Sequence, residues 1–315
     1  MTTFNTSPDN SDTVAQAIPR NRRAPPLPAP ARAKYLLTPV TFLVKTRIED
    51  GSRGVSGVTI DTCGIASAFV EARRSGTALA DYPGERPTDL ASAYAIQDSA
   101  LSVWDREVGG WKVGKINPPD DARLGANRLV GPVFADAIRW ADESSGPFAI
   151  FDGGFGAVEA EFMMRLAPQP GPVPSDNAEA ARWVDEIRIG IEIASSPYAR
   201  INADGPCVTV SDHGNNAGLL LGQPVPKDIW EKIDDVDVVL EIDGERIGQA
   251  TTASMLDGPF GAVRFLLNNL ADRGIALQAG WWVSSGAITG VHQVSQGAKV
   301  VARFEQIGSV ATEIC

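Results

Sequence analysis

Glu159 and Glu161 stand one residue apart, in the run from Val158 to Phe162. Val158, Ala160, Phe162 and Met164 alternate with them, which is the period of a β-strand. Residues i and i+2 of a strand project to the same face, so two carboxylates stand side by side with an apolar surface behind them. Like charges that close repel, and a fold tolerates them best with a cation between them. A third acid fits the pattern. In the run Ile187 to Ala194, Ile187, Ile189, Ile191 and Ile193 share one strand face, and Glu192 lies on the other with small Gly190 and Ala194 beside it. A lone acid in such a strand is costly to bury without a partner. Three glutamates from two strands could converge on one ion, and an all-oxygen set favours a hard cation, Mg²⁺ or Mn²⁺, over zinc. The alternative is that all three are solvated acids on exposed strand faces.

Other residues carry weaker chemical signals. Lys112 lies between Gly110 and Gly114, on the opposite strand face from Trp111 and Val113. Glycines at both ends let backbone or ligand approach closely. A lysine there, beside acids, could move a proton or bind an anion; otherwise it is a surface lysine, and Lys115 competes for the role. The polar run Ser211 to Gly218 either lines a pocket with amides and carbonyls or simply connects two elements. With only two histidines, His213 and His292, neither a His-based metal site nor a Ser/His triad is supported. The run Trp282 to Gly290 passes from an apolar strand into hydroxyls and glycines, which suits anion binding by Ser285, Thr289 and backbone N–H groups as well as it suits a plain turn.

The elements that must position these groups follow from periodicity and caps. One helix is expected over Thr62–Ser75, stopping at Gly76. A second starts at Thr88 or Asp89, carries the stripe Leu90, Tyr94, Gln97, Leu101 and Trp104, and ends near Gly109 and Gly110. Strands are expected over 110–114, 149–151, 158–166 and 187–194, with a helix between Asn177 and Glu186. A hairpin over 236–242 and 245–250 turns at Asp243 and Gly244, and strands follow at 281–284 and 299–304. Between them a helix capped by Asp257 buries Phe260, Val263, Leu266, Leu267 and Leu270 and ends at Gly274. Helices first and then a β-rich body read as α+β. The glycines at 153, 154 and 156 lead into a strand and form no phosphate loop, which must open a helix.

Composition sets the outer bounds. A chain of 315 residues with 43% hydrophobic content has ample length for a core. Residues 1–60 hold eight Lys/Arg and four Asp/Glu while the whole chain carries −11, so the acidity lies in the body. An acidic body argues against nucleic acid, because phosphate contacts need clustered cations. No stretch approaches the roughly 20 apolar residues of a membrane span. Three distant cysteines make neither a disulfide framework nor a metal spacing, which suits a reducing cytosol. The domain reading is a disordered basic, Pro-rich tail over 1–58, a helical region over 59–108 and a β-rich catalytic domain over 109–315.

Five motifs in this order, at 110–114, 158–162, 190–194, 212–218 and 285–290, resemble the 2-keto-4-pentenoate hydratase branch of the fumarylacetoacetate hydrolase superfamily. The resemblance covers about residues 62 to 315. It implies a mixed β-roll with peripheral helices, in a homo-oligomer. It also implies that Glu159, Glu161 and Glu192 bind Mg²⁺ or Mn²⁺, that Lys112 is catalytic, and that Ser285 and Thr289 bind the substrate carboxylate. Two departures stand out. Relatives of this branch carry an acid in the step that here reads Leu129-Val-Gly131, and an acid and an arginine where this chain has Ala194 to Pro197. Asp136 or Asp212 could substitute. The activity expected from the resemblance is a hydro-lyase that adds water to a 2-hydroxy-2,4-dienoate or 2-oxo-4-enoate in the cytoplasm, in aromatic-compound catabolism. Its partners would be a small 2-oxo acid and a paired decarboxylase or hydratase. The rival readings are decarboxylation of a 2-oxo-3-enedioate, C–C hydrolysis of an acylpyruvate, and a non-catalytic partner subunit.

Overall fold

A computed structural model describes Met1 and residues 60–142, 146–168 and 171–315. The expected tail over 1–58 therefore lies outside the described residues, apart from Met1. In chain order the elements are α1 (Thr62–Ser75), α2 (Leu90–Val103), β1 (Val108–Lys115), α3 (Asp120–Leu124), β2 (Arg128–Phe134), β3 (Ile138–Trp140), β4 (Phe155–Leu166), α4 (Asn177–Ala181) and β5 (Val184–Ser196). They continue with α5 (Pro206–Ser211), β6 (Asn216–Pro224), β7 (Asp237–Ile242), β8 (Glu245–Thr251), α6 (Gly258–Asp272), β9 (Trp282–Ser284), β10 (His292–Gln293), β11 (Lys299–Phe304) and β12 (Gly308–Glu313). No helix among the described residues is long and apolar enough to cross a membrane.

The larger sheet runs β2-β1-β9-β4-β5-β6-β3, with β10 on β4, and the smaller runs β12-β11-β7-β8. This is the expected α+β mixed β-roll with helices outside. Its centre is the antiparallel pair β4 and β5, in which Glu159 stands opposite Glu192 and Glu161 opposite Gly190. The alternation read from sequence decides what each face meets. Val158, Ala160, Phe162 and Met164 on β4 and the isoleucines 187, 189 and 191 on β5 join Val238, Leu240, Val300, Ala302 and Phe304 of the smaller sheet and Val263, Leu266 and Leu270 of α6 in one core. Each such side chain, fully buried, contributes about 1.5–3 kcal/mol, and that surplus is what lets the opposite face carry acids.

On that opposite face α1 and α2 cover one end of the strands. Ile65, Phe69 and Ile96 pack with Ala157, Ala194, Tyr198 and Val208. Asp61 opens α1 by accepting from the Gly64 N–H at 2.9 Å, and Asp89 opens α2 by accepting from the Ser92 N–H at 2.8 Å. Two polar members of α2 hold the edge strand β2: the Tyr94 hydroxyl accepts from the Val130 N–H at 3.1 Å, and Gln97 Nε2 donates to the Val130 carbonyl, also at 3.1 Å. An edge that would otherwise present bare amides is thereby closed.

Several boundaries differ from expectation, each for a local reason. The second helix stops at Val103, because Trp104 turns extended and packs on Phe134 with ring centroids 4.9 Å apart. Residues 149–151 form no strand; Phe148 makes a single bridge to Ile314. Asp257 makes no capping bond to α6, since its carboxylate is taken by Arg128 and Arg264, each at 2.5 Å.

One buried ion pair ties the helical layer to the strand ends. Arg73 of α1 donates through Nε to Asp212 Oδ1 at 2.5 Å and through Nη2 to Oδ2 at 2.8 Å. It also reaches the carbonyls of Asn216 at 3.1 Å and Ser195 at 3.0 Å, on β6 and β5. Burial pushes the Asp212 carboxyl up, but Arg73 and the contacts of His213 outweigh it and hold it at about 2. A folded value below the ordinary 3.8 stabilises the fold by about 2 kcal/mol above pH ~4, and that contribution is lost as the pH falls towards 2. Asp212→Asn, which leaves a buried guanidinium unpaired, is expected to lower stability at pH 7 by about 3–5 kcal/mol in denaturant titrations. It should also flatten the loss of stability between pH 4 and pH 2; an unchanged acid limb would refute the assignment.

Candidate metal centre

Glu159 and Glu161 project from β4 and Glu192 from β5, and all three are buried, the last two completely. One carboxylate oxygen from each lies within 4.8 Å of the others. The reading of solvated acids on open strand faces is therefore excluded. Gly190 stands opposite Glu161, and it lets Met163 and β6 approach closely: a Cβ there would lie 2.6 Å from Met163 Cγ and 2.7 Å from the Leu220 carbonyl oxygen.

Lys112 joins the cluster from β1. In a flat sheet β1 and β5 would be three strand spacings apart, about 14 Å. Instead the sheet curls until β2 at one edge touches β6 near the other, and Lys112 Nζ lies 3.4 Å from Glu192 Oε1. The curl is permitted where β2 meets the turn before β6, since a Cβ on Gly131 would lie 2.1 Å from the His213 carbonyl oxygen. Burial alone would push the Lys112 ammonium down, but Glu192, Glu159 and Glu161 outweigh it and raise it, so the lysine is charged. Burial drives the Glu161 carboxyl well up, helped by repulsion from Glu192 and Glu159. Burial likewise raises Glu192, to about 7 against the pull of Lys112.

Two of the acids are also aimed by neutral donors. Glu161 Oε2 accepts from the Ser284 hydroxyl and, at 2.8 Å, from the Gly286 N–H. Glu192 Oε1 accepts from Asn216 Nδ2 at 2.9 Å. The remaining oxygens, Glu161 Oε1 and Glu192 Oε2, are buried with no hydrogen-bond partner among the described residues. Burial and mutual repulsion disfavour the ionised forms of Glu161 and Glu192, a cost that a cation among the acids would offset. Oxygen-only donors, two orphaned oxygens and that repulsion all fit a hard divalent cation.

A cavity of about 760 Å³ opens onto the cluster. Lys112, Glu159, Ser285 and Thr289 line it, as do Lys115, Arg128 and Leu129. The structure thus gathers Glu159, Glu161, Glu192 and Lys112 in one cluster and sets Ser285 and Thr289 on the cavity beside it, with qualifications. Ser285 Oγ already accepts from the Phe162 N–H at 3.1 Å, and the Thr289 hydroxyl lies 3.2 Å from His292 Nε2. The suggested substitutes for the missing acid do not face the cavity. Asp136 pairs with Arg106 at the surface, and Asp212 is bound to Arg73. His213 is buried between Trp104 and Phe134, where burial lowers its pKa and keeps it neutral. Ser284, Gly286 and Asn216 were not picked out individually. Ser284 had a usable signal in its adjacency to Ser285, whereas Asn216 acts through cross-strand register that one strand's sequence does not display.

No family model matches the chain. Among curated proteins it is 26% identical over 264 residues to a 4-oxalocrotonate decarboxylase of Pseudomonas putida, covering 78% of this chain and 92% of that protein. A second 4-oxalocrotonate decarboxylase, from Pseudomonas sp. strain CF600, is 27% identical over 243 residues, covering 73% and 86%. Among solved structures, the 4-oxalocrotonate decarboxylase of P. putida G7 complexed with magnesium and adipate superposes with a TM-score of 0.67 at 22% identity, over 81% of this chain and 97% of that one. This chain has that fold. The expected hydro-lyase activity is overturned by these relatives. They are decarboxylases, lyases that break a C–C bond, and the hydratase branch finds no support among them.

The burial of like charges yields a direct test. Glu161→Gln removes one of three mutually repelling acids while keeping acceptors for Ser284 and Gly286. In chelator it is expected to raise the melting temperature by a few degrees, an effect of about 1 kcal/mol. A fall would mean that the acids are not repelling one another.

Proposed function

We propose that this protein is a divalent-metal-dependent decarboxylase of a 2-oxo-3-enedioate of the 4-oxalocrotonate type. The observation that carries the reading is the buried cluster of Glu159, Glu161, Glu192 and Lys112 with two partnerless carboxylate oxygens, opening onto one cavity. The relatives at 26–27% identity supply the reaction class. The reaction needs an electron sink: the C5–C6 bond breaks to release carbon dioxide, its electron pair moves through the conjugated chain, and charge arrives at the C2 oxygen.

Glu159, Glu161 and Glu192 are the residues that would hold Mg²⁺ or Mn²⁺, and the ion when bound supplies Lewis-acid stabilisation at the C1 carboxylate and C2 oxygen. The remaining work falls to the chain itself. Lys112, held charged and buried, presents a fixed ammonium where enolate charge develops, and it has a proton to give. Ser285 and Thr289, with the Gly286 backbone beside them, line the wall that would orient the substrate carboxylate. Leu129 adds an apolar residue to the lining of the same cavity. Addition of water would require a group to deliver it. The other carboxylate on the lining, Asp120, is paired with Arg123 at 2.7 Å. Loss of carbon dioxide needs no such group, which supports decarboxylation over hydration on physical grounds. A small 2-oxo acid is the proposed partner, in a cytoplasmic homo-oligomer that hands its product to a hydratase.

Purified protein with Mg²⁺ should release carbon dioxide from a 2-oxo-3-enedioate and stop when the metal is chelated. Formation of a 4-hydroxy-2-oxo acid without carbon dioxide would defeat the proposal. Lys112→Met should lower kcat by about 10²–10⁴-fold while Mg²⁺ still raises the melting temperature. Glu159→Gln or Glu192→Gln should abolish both the activity and that metal-dependent rise.

A further inference from the structure

The turn between α5 and β6 has a backbone that ordinary residues avoid. His213, Gly214 and Asn215 follow one another with φ of 55°, 64° and 58°, all left-handed. Only the middle one is glycine, and non-glycine residues adopt this region at an energetic cost, so its surroundings must enforce it. Those surroundings are the site. A Cβ on Gly214 would lie 3.1 Å from Lys112 Cδ, so the turn rests on the lysine stem. Asn216, next in line, donates to Glu192. Between them Asn215 lines the cavity.

Asn215 is only 1% exposed, and its Oδ1 has no hydrogen-bond partner among the described residues. Its Nδ2 donates to Asn202 Oδ1 at 2.9 Å, and the Thr209 hydroxyl lies 3.2 Å from the same oxygen. In this arrangement the amide end of the carboxamide is occupied and its oxygen is free. Asn202 and Thr209 line the same cavity. A buried acceptor left unsatisfied is costly unless a ligand completes it.

We propose that Asn215 is a ligand-contacting residue whose carboxamide oxygen accepts a hydrogen bond from a hydroxyl on the bound acid, an enol or 2-hydroxy group. It would thereby favour the hydroxy over the oxo form. The inference rests on the decarboxylase reading for the class of ligand. Lys112 supplies positive charge to the same cavity, and Asn215 supplies an acceptor, so the two groups can tell a protonated oxygen from a bare one.

The test uses the full chain loaded with Mg²⁺ and titration calorimetry with 2-hydroxyadipate and 2-oxoadipate. Asn215→Gly removes the carboxamide and tolerates the left-handed backbone. It is expected to shift the ratio of the two affinities towards the oxo acid by roughly tenfold. Asn215→Asp keeps an acceptor and should preserve the ratio even though its added charge weakens both acids. A ratio unchanged in Asn215→Gly, with its melting temperature intact, would overturn the proposal. If that happens while the wild-type protein still releases carbon dioxide, only the role of Asn215 falls. Wild-type protein that binds neither acid and releases no carbon dioxide would remove the decarboxylase reading and this inference together.

Discussion

Three carboxylates buried within a few ångströms of one another, against a single ammonium, are the constraint around which this fold is arranged. Such a cluster is expensive. Every nearby feature either lowers that cost or aims the groups. The apolar faces of β4 and β5 bury a continuous aliphatic core behind the acids. Gly190, opposite Glu161, lets Met163 and the Leu220 carbonyl pack closely beside the acids. Ser284, Gly286 and Asn216 satisfy one oxygen each of two acids and leave the other oxygens free. That division is what a cation site requires: donors that orient the ligands without neutralising them.

Curling of the larger sheet brings a lysine from a third strand to two strands of acids. Lys112 is remote from Glu192 along the sheet order, and closure of β2 towards β6 brings its ammonium to 3.4 Å. The closure is held from outside. Tyr94 and Gln97 of α2 hydrogen-bond the edge of β2, and Arg73 of α1 binds Asp212 and the carbonyls of Ser195 and Asn216. The peripheral helices thus act on the site at a distance. They fix the strand ends from which Glu192 and Asn216 project.

Under the proposed function, hydration and decarboxylation are distinguished by what the cavity lining offers. Both reactions share an enolate and so share the acids and the lysine, which is why the motifs alone favoured the wrong lyase. They differ in whether water must be delivered. Leu129 lies on the lining where hydratase-like chains carry an acid, and neither Asp136 nor Asp212 reaches the cavity to replace it. The relatives at 26–27% identity are decarboxylases by name.

Alternation along single strands was enough to put Glu159 and Glu161 on one face and Glu192 on the face opposite its isoleucines, because strand period is local chemistry. The helix over Thr62–Ser75 and the α+β class were equally legible, from caps and from the order of elements. What one strand cannot encode is its neighbour. The register that sets Glu159 against Glu192, the approach of Lys112, the donation from Asn216 and the diversion of Asp257 from a helix cap to two arginines all depend on pairing and curvature across distant segments. The amino-acid sequence by itself determined which groups could hold a cation and which way each must face. Only the tertiary structure decided that they meet, because convergence is a property of the closed sheet and of the packing that holds it closed.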